Sequence, residues 1–300
     1  MDHYHHHDHQ EVAIPADRQG VCIVTGDTLD IEAAKEAGHY EEHNGQTYYF
    51  CCATCVRLFN ANPDKYLTNS HKDAMLVLSN KEHLVDNVWA FRFTADQPFA
   101  WTPGQFIRVE LPHDNPDTEG TKRWFTISST PHDGFVQITT RVTDTTFKQS
   151  LASLPIGGEL NLVEEPDGDF IWTESDKPLV FVAGGIGITP YYSILKARGH
   201  SGQPVNAVLI YNGRDDKLPF KEELNVATKR HPEFKVRYVV GKQLSADKLV
   251  EIVPELQSSQ VYLSGPEPMV ESLGKQLREA GVSDANLHED FFPNYSQQNY

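Results

Sequence analysis

The sequence predicts a multidomain α+β and α/β protein with a small cysteine-rich domain, an antiparallel β-barrel and a doubly wound parallel sheet. All four cysteines lie within the first 55 of 300 residues, and short β-rich runs fill residues 75 to 172. After these runs, apolar strands alternate with helical stretches. A chain of this length can form two or three separate cores. We therefore predict a His-rich tail at 1–17 and domains at 18–70, 75–174 and 177–300.

Composition and charge narrow the functional classes. The formal net charge of −16 opposes binding to nucleic acid or to an anionic membrane surface. The chain has no run of 18 apolar residues, and its start, "HYHHHDH", lacks the apolar centre of a signal peptide. These features predict a cytoplasmic protein that acts on small molecules or docks to a protein. The histidines of the tail are either ligands for Cu(II), Ni(II) or Zn(II), or simply a solvated segment.

The clustered cysteines indicate metal or redox chemistry. Cys22, Cys51, Cys52 and Cys55 are followed by 245 residues without a thiol. In a reducing cytosol such a cluster favours a metal or redox site over structural disulfides. Buried free thiols that act as small hydrophobic groups are the alternative. Thiolates are soft ligands, so the predicted metal is Zn or Cu.

Two glycine turns in the last third of the chain predict a phosphate-binding edge. "PLVFVAGGIGITPYYSIL" has the pattern of a strand, a turn and a helix, with Gly184, Gly185 and Gly187 in the turn and Thr189 as N-cap before Pro190. The amides of such a helix start are aimed at an anion, for example a dinucleotide pyrophosphate. A purely geometric role for the glycines is the alternative.

A second turn, "SGPEPM", begins another helix after a strand. Ligands of open α/β sheets bind at the carboxyl ends of the strands, so both turns are expected to meet there. The residues singled out in the second turn are Gly265, Pro266 and Met269.

Three motifs in order, "RWFTISS", "AGGIGITP" and "SGPEPM", resemble the ferredoxin–NADP reductase superfamily, especially its bacterial flavodoxin-reductase-like members. The likeness covers residues 75–300. It implies an FAD-dependent NAD(P)H oxidoreductase in which hydride passes from nicotinamide to flavin and electrons then pass to an acceptor. The donor, NADH or NADPH, stays open, since Arg214 suits a 2′-phosphate while its neighbours Asp215 and Asp216 do not.

The resemblance also assigns roles to single residues. Arg123 would clamp the FAD pyrophosphate, Phe125 would stack on the isoalloxazine, and Thr126 would approach the flavin N5. Ser264 would lie beside the nicotinamide, with Thr126 and Glu289 as the other catalytic candidates. The further FAD candidates are Trp124, Thr145, Thr146, Phe147, Lys148 and Phe291. The alternatives are a core strand with one surface arginine at "RWFT" and a last strand with a polar tail at "LHEDFFPNY".

The N-terminal part resembles another family. "VCIVTGD" and "YEEHNGQTYYFCCATCVRLFNANPDKYL" resemble the YHS domain, which is related to the TRASH metal-binding fold, over residues 18–68. This likeness implies a metal site at Cys22, Cys51 and Cys55, with Cys52 as an optional fourth ligand. The glycine that follows the first cysteine in many such domains is delayed to Gly26. The spacing does not match the C-x4-C-x2-C of a plant-type [2Fe–2S] domain.

Three functions are therefore compared. The first is an FAD-dependent NAD(P)H oxidoreductase with an accessory metal domain. The second is a ferredoxin or flavodoxin reductase whose YHS segment docks the partner protein. The third is a metal sensor or chaperone with a degenerate reductase domain. It is favoured by Phe125, where the family has tyrosine, and by Ser264, where many relatives have cysteine.

Overall fold

The computed structural model describes residues 15, 18–24, 28–63, 66, 74–96 and 100–292. The chain divides into two compact units, residues 1–71 and 72–300. The predicted His-rich tail and Gly26 lie outside the described residues, and the finer domain bounds stay predictions. Among the described helices, none is long and apolar enough to cross a membrane.

The first unit is small and built on short elements. They are β1 (Gln19–Val21), β2 (Thr28–Asp30), α1 (Ile31–Glu36), β3 (Tyr40–His43), β4 (Gln46–Tyr49) and α2 (Ala53–Ala61). β1 pairs with β2 and β3 with β4, both antiparallel. The β3–β4 hairpin turns at Asn44 and Gly45, whose φ angles of 51° and 78° match the left-handed pair of a two-residue turn. The buried rings of Phe50 and Phe59 form its core together with Cys22 and Cys55.

The second unit begins with six antiparallel strands. They are β5 (Met75–Val85), β6 (Val88–Ala95), β7 (Phe106–Glu110), β8 (Lys122–Thr126), β9 (Val136–Arg141) and β10 (Glu159–Asp167), with α3 (Thr146–Ser153) between the last two. Their order in the sheet is β8-β7-β10-β5-β6-β9. An isolated bridge between Ile127 and Ile138 joins the two edges, so the sheet curls as the predicted barrel. Alternate side chains of these strands, including Leu76, Phe91 and Ile107, fill its interior.

A parallel sheet with alternating helices completes the second unit. Its elements are β11 (Leu179–Gly184), α4 (Thr189–His200), β12 (Ala207–Gly213), α5 (Lys221–Arg230), β13 (Lys235–Val240), α6 (Ala246–Ile252), β14 (Gln260–Pro266), α7 (Glu267–Glu279) and β15 (Leu287–Phe292). The strand order is β13-β12-β11-β14-β15, all parallel. The order reverses between β11 and β14, which makes this edge the topological switch point where ligands of such sheets bind. The predicted fold class is confirmed.

The glycine at 187 is required by space. A Cβ at this position would run into the backbone carbonyl of Ser264, whereas one on Gly199 in α4 would meet nothing within 4 Å. We expect Gly187→Ala to lower the free energy of unfolding by about 1–3 kcal/mol, since the two strand ends must separate. Gly199→Ala, the matched control, should be neutral or stabilising. Chemical unfolding of both variants is the measurement, and equal stabilities would contradict the close approach.

Candidate functional site

The two glycine turns meet at the carboxyl edge of the parallel sheet. Ala183 of β11 lies beside Ser264 of β14. A Cβ on Gly265 would lie 3.2 Å from the Cα of Gly184, so the two turns touch through their backbones. The first turn is a 3-10 segment, Gly185–Ile188, that leads directly into α4. The structure therefore forms the small, backbone-lined edge that the sequence predicts.

The start of α4 differs from the prediction by one residue. Ile188 occupies the N-cap position with helical φ and ψ, because the 3-10 turn runs straight into the helix. Thr189 is the first helical residue, and its hydroxyl donates to the carbonyl of Ile186 at 3.1 Å. The prediction that Thr189 caps the helix is wrong for this reason. Pro190 lies in the first turn of the helix, where the missing N–H of proline costs no intrahelical hydrogen bond.

A buried hydroxyl and a carboxyl group lie at the end of β14. Ser264 has no exposed surface, and its Oγ donates to Oδ2 of Asp290 at 3.4 Å. The two residues are direct partners in the β14–β15 register. Burial raises the pKa of Asp290 to about 7, outweighing the hydrogen bond from Ser264, and the charge of Asp169 raises it further. This carboxyl group therefore holds or releases a proton near neutral pH.

The predicted acid, Glu289, points elsewhere. Its carboxylate pairs with Arg278 at 2.5 Å and lies against the backbone of Gly274 in α7. Neighbouring strand residues face opposite sides of a sheet, so Glu289 and Asp290 cannot share a site. Asp290, and not Glu289, is the acid beside Ser264. The ring of Phe291 is 44% exposed.

Aromatic rings lie on the same face of the sheet as Ser264 and Asp290, because Tyr262 and His288 stand two residues before them on β14 and β15. His288 stacks on Tyr262, with ring centroids 4.3 Å apart, and burial lowers the pKa of His288. Phe170, from the "EEPDGDF" segment after the barrel, contacts the rings of Tyr191 and Tyr262 at 5.3 Å. The segment that leaves the barrel thus packs into the core of the nucleotide-binding sheet, and it brings Asp169 near Asp290.

Arg123, the residue predicted to bind the FAD pyrophosphate, is paired with carboxylates of the chain itself. Arg123 on β8 pairs with Asp117 at 2.5 Å and with Glu119 at 2.8 Å. Its guanidinium also donates to the carbonyl oxygens of Glu119, Gly120 and Lys122 at 2.8 to 3.0 Å. The residue type suits a diphosphate, but carboxylates of the β7–β8 loop hold the guanidinium in this structure.

The other residues of the "RWFT" motif lie on both faces of β8. Phe125 and Thr126 are only 7% and 6% exposed. The Phe125 ring lies 5.8 Å from the ring of Phe147, which comes from α3. Trp124 points to the other face, where the guanidinium of Arg108 lies 5.4 Å from its ring. The ring of Phe125 therefore packs beside Phe147 in the core of the barrel.

The four residues predicted to bind FAD at 145–148 all lie at the start of α3, next to the loop before β8. Thr145 is the N-cap, Phe147 and Lys148 are buried, and Thr146 reaches the loop before β8. The hydroxyl of Thr146 donates to Oδ2 of Asp117 at 3.2 Å. The structure thus joins Arg123 and Thr146 through the carboxylate of Asp117.

Arg214 follows β12 and lines a small cavity of about 20 Å³. Gly185, Gly213, Lys217 and Arg141 also line it. Asp86 and Asp215 line it too, so the cavity joins the first glycine turn to a mixed cluster of cations and carboxylates. Met269 lies against Gly265, where a Cβ would meet its side chain at 2.7 Å.

Three predicted thiols come together in the first unit. The Sγ atoms of Cys22, Cys51 and Cys55 lie within 4.8 Å of one another. The Sγ of Cys55 is 3.5 Å from that of Cys51 and 3.6 Å from that of Cys52. Thiolates around one metal ion at about 2.3 Å would be roughly 3.8 Å apart, so the spacing suits a soft ion. Cys22 and Cys55 are buried, while Cys51 and Cys52 are exposed.

These thiols interact strongly. Hydrogen bonds with the Cys51 and Cys55 thiols lower the pKa of Cys52. Hydrogen bonds with the thiols of Cys22, Cys51 and Cys52 raise the pKa of Cys55. Cys52 is the N-cap of α2, so the first turn of this helix places Cys52 and Cys55 together.

Four further candidate residues, which contact the predicted ones, are not singled out by the sequence motifs: Asp117, Glu119, Asp169 and Asp290. Register gives a signal for Asp290, because it pairs directly with Ser264. The i, i+4 spacing of Glu119 and Arg123 is a weaker signal. Asp117 and Asp169 lie in loops whose paths the sequence alone does not give.

The raised pKa of Asp290 predicts a pH-dependent stability. Its pKa is about 7 in the folded chain against an ordinary 3.8, so the folded state retains a proton that the unfolded chain releases as pH rises. The contribution of Asp290 to stability therefore falls between about pH 4 and pH 7. Relative to Asp290→Asn, the wild type should lose about 2 kcal/mol of unfolding free energy between pH 5 and pH 7.5. Glu289→Gln, in the exposed ion pair, is the control, and parallel pH curves for wild type and Asp290→Asn would contradict the prediction.

Comparison with known proteins agrees with this geometry. Residues 181–275 match the oxidoreductase NAD-binding domain family, and residues 32–70 match the YHS domain family. The chain is 29% identical over 208 residues to the ferredoxin reductase component of 3-ketosteroid-9-alpha-monooxygenase from Rhodococcus rhodochrous, covering 66% of this chain and 58% of that protein. It is 27% identical over 238 residues to flavohemoprotein A of Dictyostelium discoideum, covering 72% of this chain and 59% of that one. The chain thus spans a little over half the length of these curated relatives.

A solved structure shares the fold of the second unit. The flavohem-like FAD/NAD binding domain of nitric oxide dioxygenase from Vibrio cholerae matches 74% of this chain and 99% of its own, with a TM-score of 0.64 and 20% identity. The second unit therefore has the fold of ferredoxin–NADP reductase-like proteins, and its residues 181–275 match the oxidoreductase NAD-binding domain family, while residues 32–70 match the YHS domain family.

Proposed function

We propose that residues 72–300 form an FAD-dependent NAD(P)H oxidoreductase that delivers electrons to a separate acceptor. The observation that carries this proposal is the meeting of two glycine turns beside buried Ser264 and its half-buried partner Asp290 at the switch point of the sheet. A dinucleotide can approach closely an edge that is lined by backbone, and the fully buried hydroxyl of Ser264 marks the place proposed for the nicotinamide.

Each part of this edge has a physical task. The amides of the turn at Gly185 and Gly187 bind the dinucleotide pyrophosphate, and Arg214 lies at the ribose end. Ser264 positions the nicotinamide, while Asp290, with a pKa of about 7, holds a proton beside it.

The chemical types of the residues on the barrel and on α3 suit the parts of a flavin cofactor. Arg123 and Thr146 supply charge and a hydroxyl for its diphosphate, and Thr126 supplies a small polar group for the ring. When bound, the flavin supplies a carrier that accepts a hydride and gives up electrons singly or in pairs.

The acceptor is proposed to be a separate redox protein. One relative is the ferredoxin reductase component of a monooxygenase, a protein whose name places it in a multicomponent system. The described YHS region lacks the C-x4-C-x2-C spacing of a plant-type iron–sulfur domain, so a fused cluster of that type is not proposed as the next carrier.

For the YHS domain we propose a soft metal ion, Zn(II) or Cu(I), bound by Cys22, Cys51 and Cys55. Their Sγ atoms already lie within one ion's reach. Docking of the electron acceptor is the competing role, and it requires no metal.

Reduction under anaerobic conditions tests the enzyme proposal. The purified protein should contain, or bind, FAD and be bleached by NADH or NADPH, with a clear preference for one. Ser264→Ala should slow bleaching roughly tenfold, since a misplaced nicotinamide loses alignment with its acceptor, without changing the bound flavin. Ser258→Ala, in an exposed loop, should match the wild type. Protein that neither contains nor binds FAD would defeat the proposal.

Metal content tests the YHS proposal. Cys55→Ser should remove the bound Zn or Cu, because Cys55 lies closest to the other thiols. Cys52→Ser should retain it if three ligands suffice. Metal analysis and turnover are measured on the same samples. Metal lost with unchanged turnover favours the docking role, and a wild type that binds neither ion contradicts the metal site.

A further inference from the structure

The loop between β7 and β8, residues 111–121, carries two carboxylates that converge on one guanidinium. The side chain of Arg123 is only 11% exposed, and it forms ion pairs with Asp117 through Nη2 and with Glu119 through Nε. Its Nη1 donates to three carbonyl oxygens of the same chain segment. The N–H donors of a guanidinium number five, so the loop takes up the directions in which Arg123 would bind another anion.

Asp117 is also bound from the opposite side. Its Oδ2 accepts from the hydroxyl of Thr146, and its own amide donates to that hydroxyl at 3.1 Å. His113 lies 3.1 Å from the same hydroxyl oxygen. A single carboxylate thus bridges β8 and the first turn of α3, the two elements to which the proposed function assigns the flavin diphosphate.

The electrostatics of Asp117 agree with a stable anion at this place. Burial by itself would raise its pKa, but hydrogen bonding to Arg123 and the charge of that guanidinium hold the pKa below its ordinary value. The loop is closed at its base by the hydrogen bond from the Leu111 amide to the Thr121 carbonyl and turned by Gly120 at φ 68°. It is therefore fastened at its base and at Arg123 and Thr146.

We infer that Asp117 and Glu119 are an internal substitute for the flavin diphosphate and determine which flavin this unit retains. The inference rests on the proposed function. A diphosphate and two carboxylates cannot share one guanidinium without strong repulsion, so FAD binding requires the loop to release Arg123. Riboflavin has no phosphate, so competition for Arg123 does not affect its affinity. FAD, in contrast, must displace both carboxylates from Arg123.

Flavin titration of the full chain tests this inference. Riboflavin and FAD are titrated into flavin-free protein by fluorescence, for wild type, Asp117→Asn/Glu119→Gln and Asp114→Asn. Asp114 lies exposed in the same loop, so its variant is the charge control. The double variant should bind FAD at least tenfold more tightly than the wild type, with riboflavin affinity unchanged, and Asp114→Asn should match the wild type.

The remaining outcomes separate the two proposals. FAD affinity that is unchanged or weaker in the double variant, with riboflavin binding intact, overturns the loop inference and leaves the proposed function standing. No binding of either flavin by wild type and double variant overturns both. Hydrogen exchange gives an independent readout without mutation: FAD should speed exchange of the amides of residues 117–121, and slower exchange there would contradict loop release.

Discussion

The second unit depends on the contact between the backbones of β11 and β14 at their carboxyl ends. Gly187 lies against the carbonyl of Ser264, and Gly265 lies against Gly184, because none of these glycines carries a side chain. A Cβ at either contact would separate the strands and widen the edge. The same contact places Ser264 in a fully buried position and, through the β14–β15 register, sets Asp290 beside it. Packing, register and the raised pKa of Asp290 therefore have one geometric origin.

Two clusters of charge in this unit respond to burial in opposite ways. Asp290 has a hydroxyl partner and a second acid, Asp169, nearby, so desolvation prevails and favours its protonated form. Asp117 has a guanidinium partner, which outweighs desolvation and keeps the carboxylate ionised. At an effective dielectric constant of 20, unit charges 4 Å apart interact by about 4 kcal/mol, so the guanidinium of Arg123 can offset the desolvation of Asp117. The first cluster is thus suited to holding a proton, and the second to competing with an anion.

The sequence predicts the elements of the fold better than the partners of its side chains. Alternating apolar runs and glycine turns predict the barrel, the parallel sheet and the edge where Gly184 and Gly265 meet, because these depend on local pattern and on strand order. The choice between Glu289 and Asp290 depends on which face of β15 points to Ser264. The sequence motif alone does not give the register between β14 and β15 that decides this. The partners of Arg123 come from a loop of eleven residues, 111–121, whose path follows from hydrogen bonds to Arg123 and Thr146. Long-range contacts of this kind leave no periodic signal.

The candidate sites of the two units differ in their access to solvent, and this difference follows from where each reactive group lies. Cys51 and Cys52 are exposed at the start of α2, with buried Cys55 behind them, so an ion held there is open to exchange with a ligand from outside. Ser264 and the ring of Tyr191 have no exposed surface, which favours chemistry that water would disrupt. A solvent-open thiol cluster suits delivery or sensing of a metal, whereas a closed edge suits hydride chemistry. The two candidate sites therefore have opposite physical requirements, and the local structure of each unit suits the chemistry proposed for it.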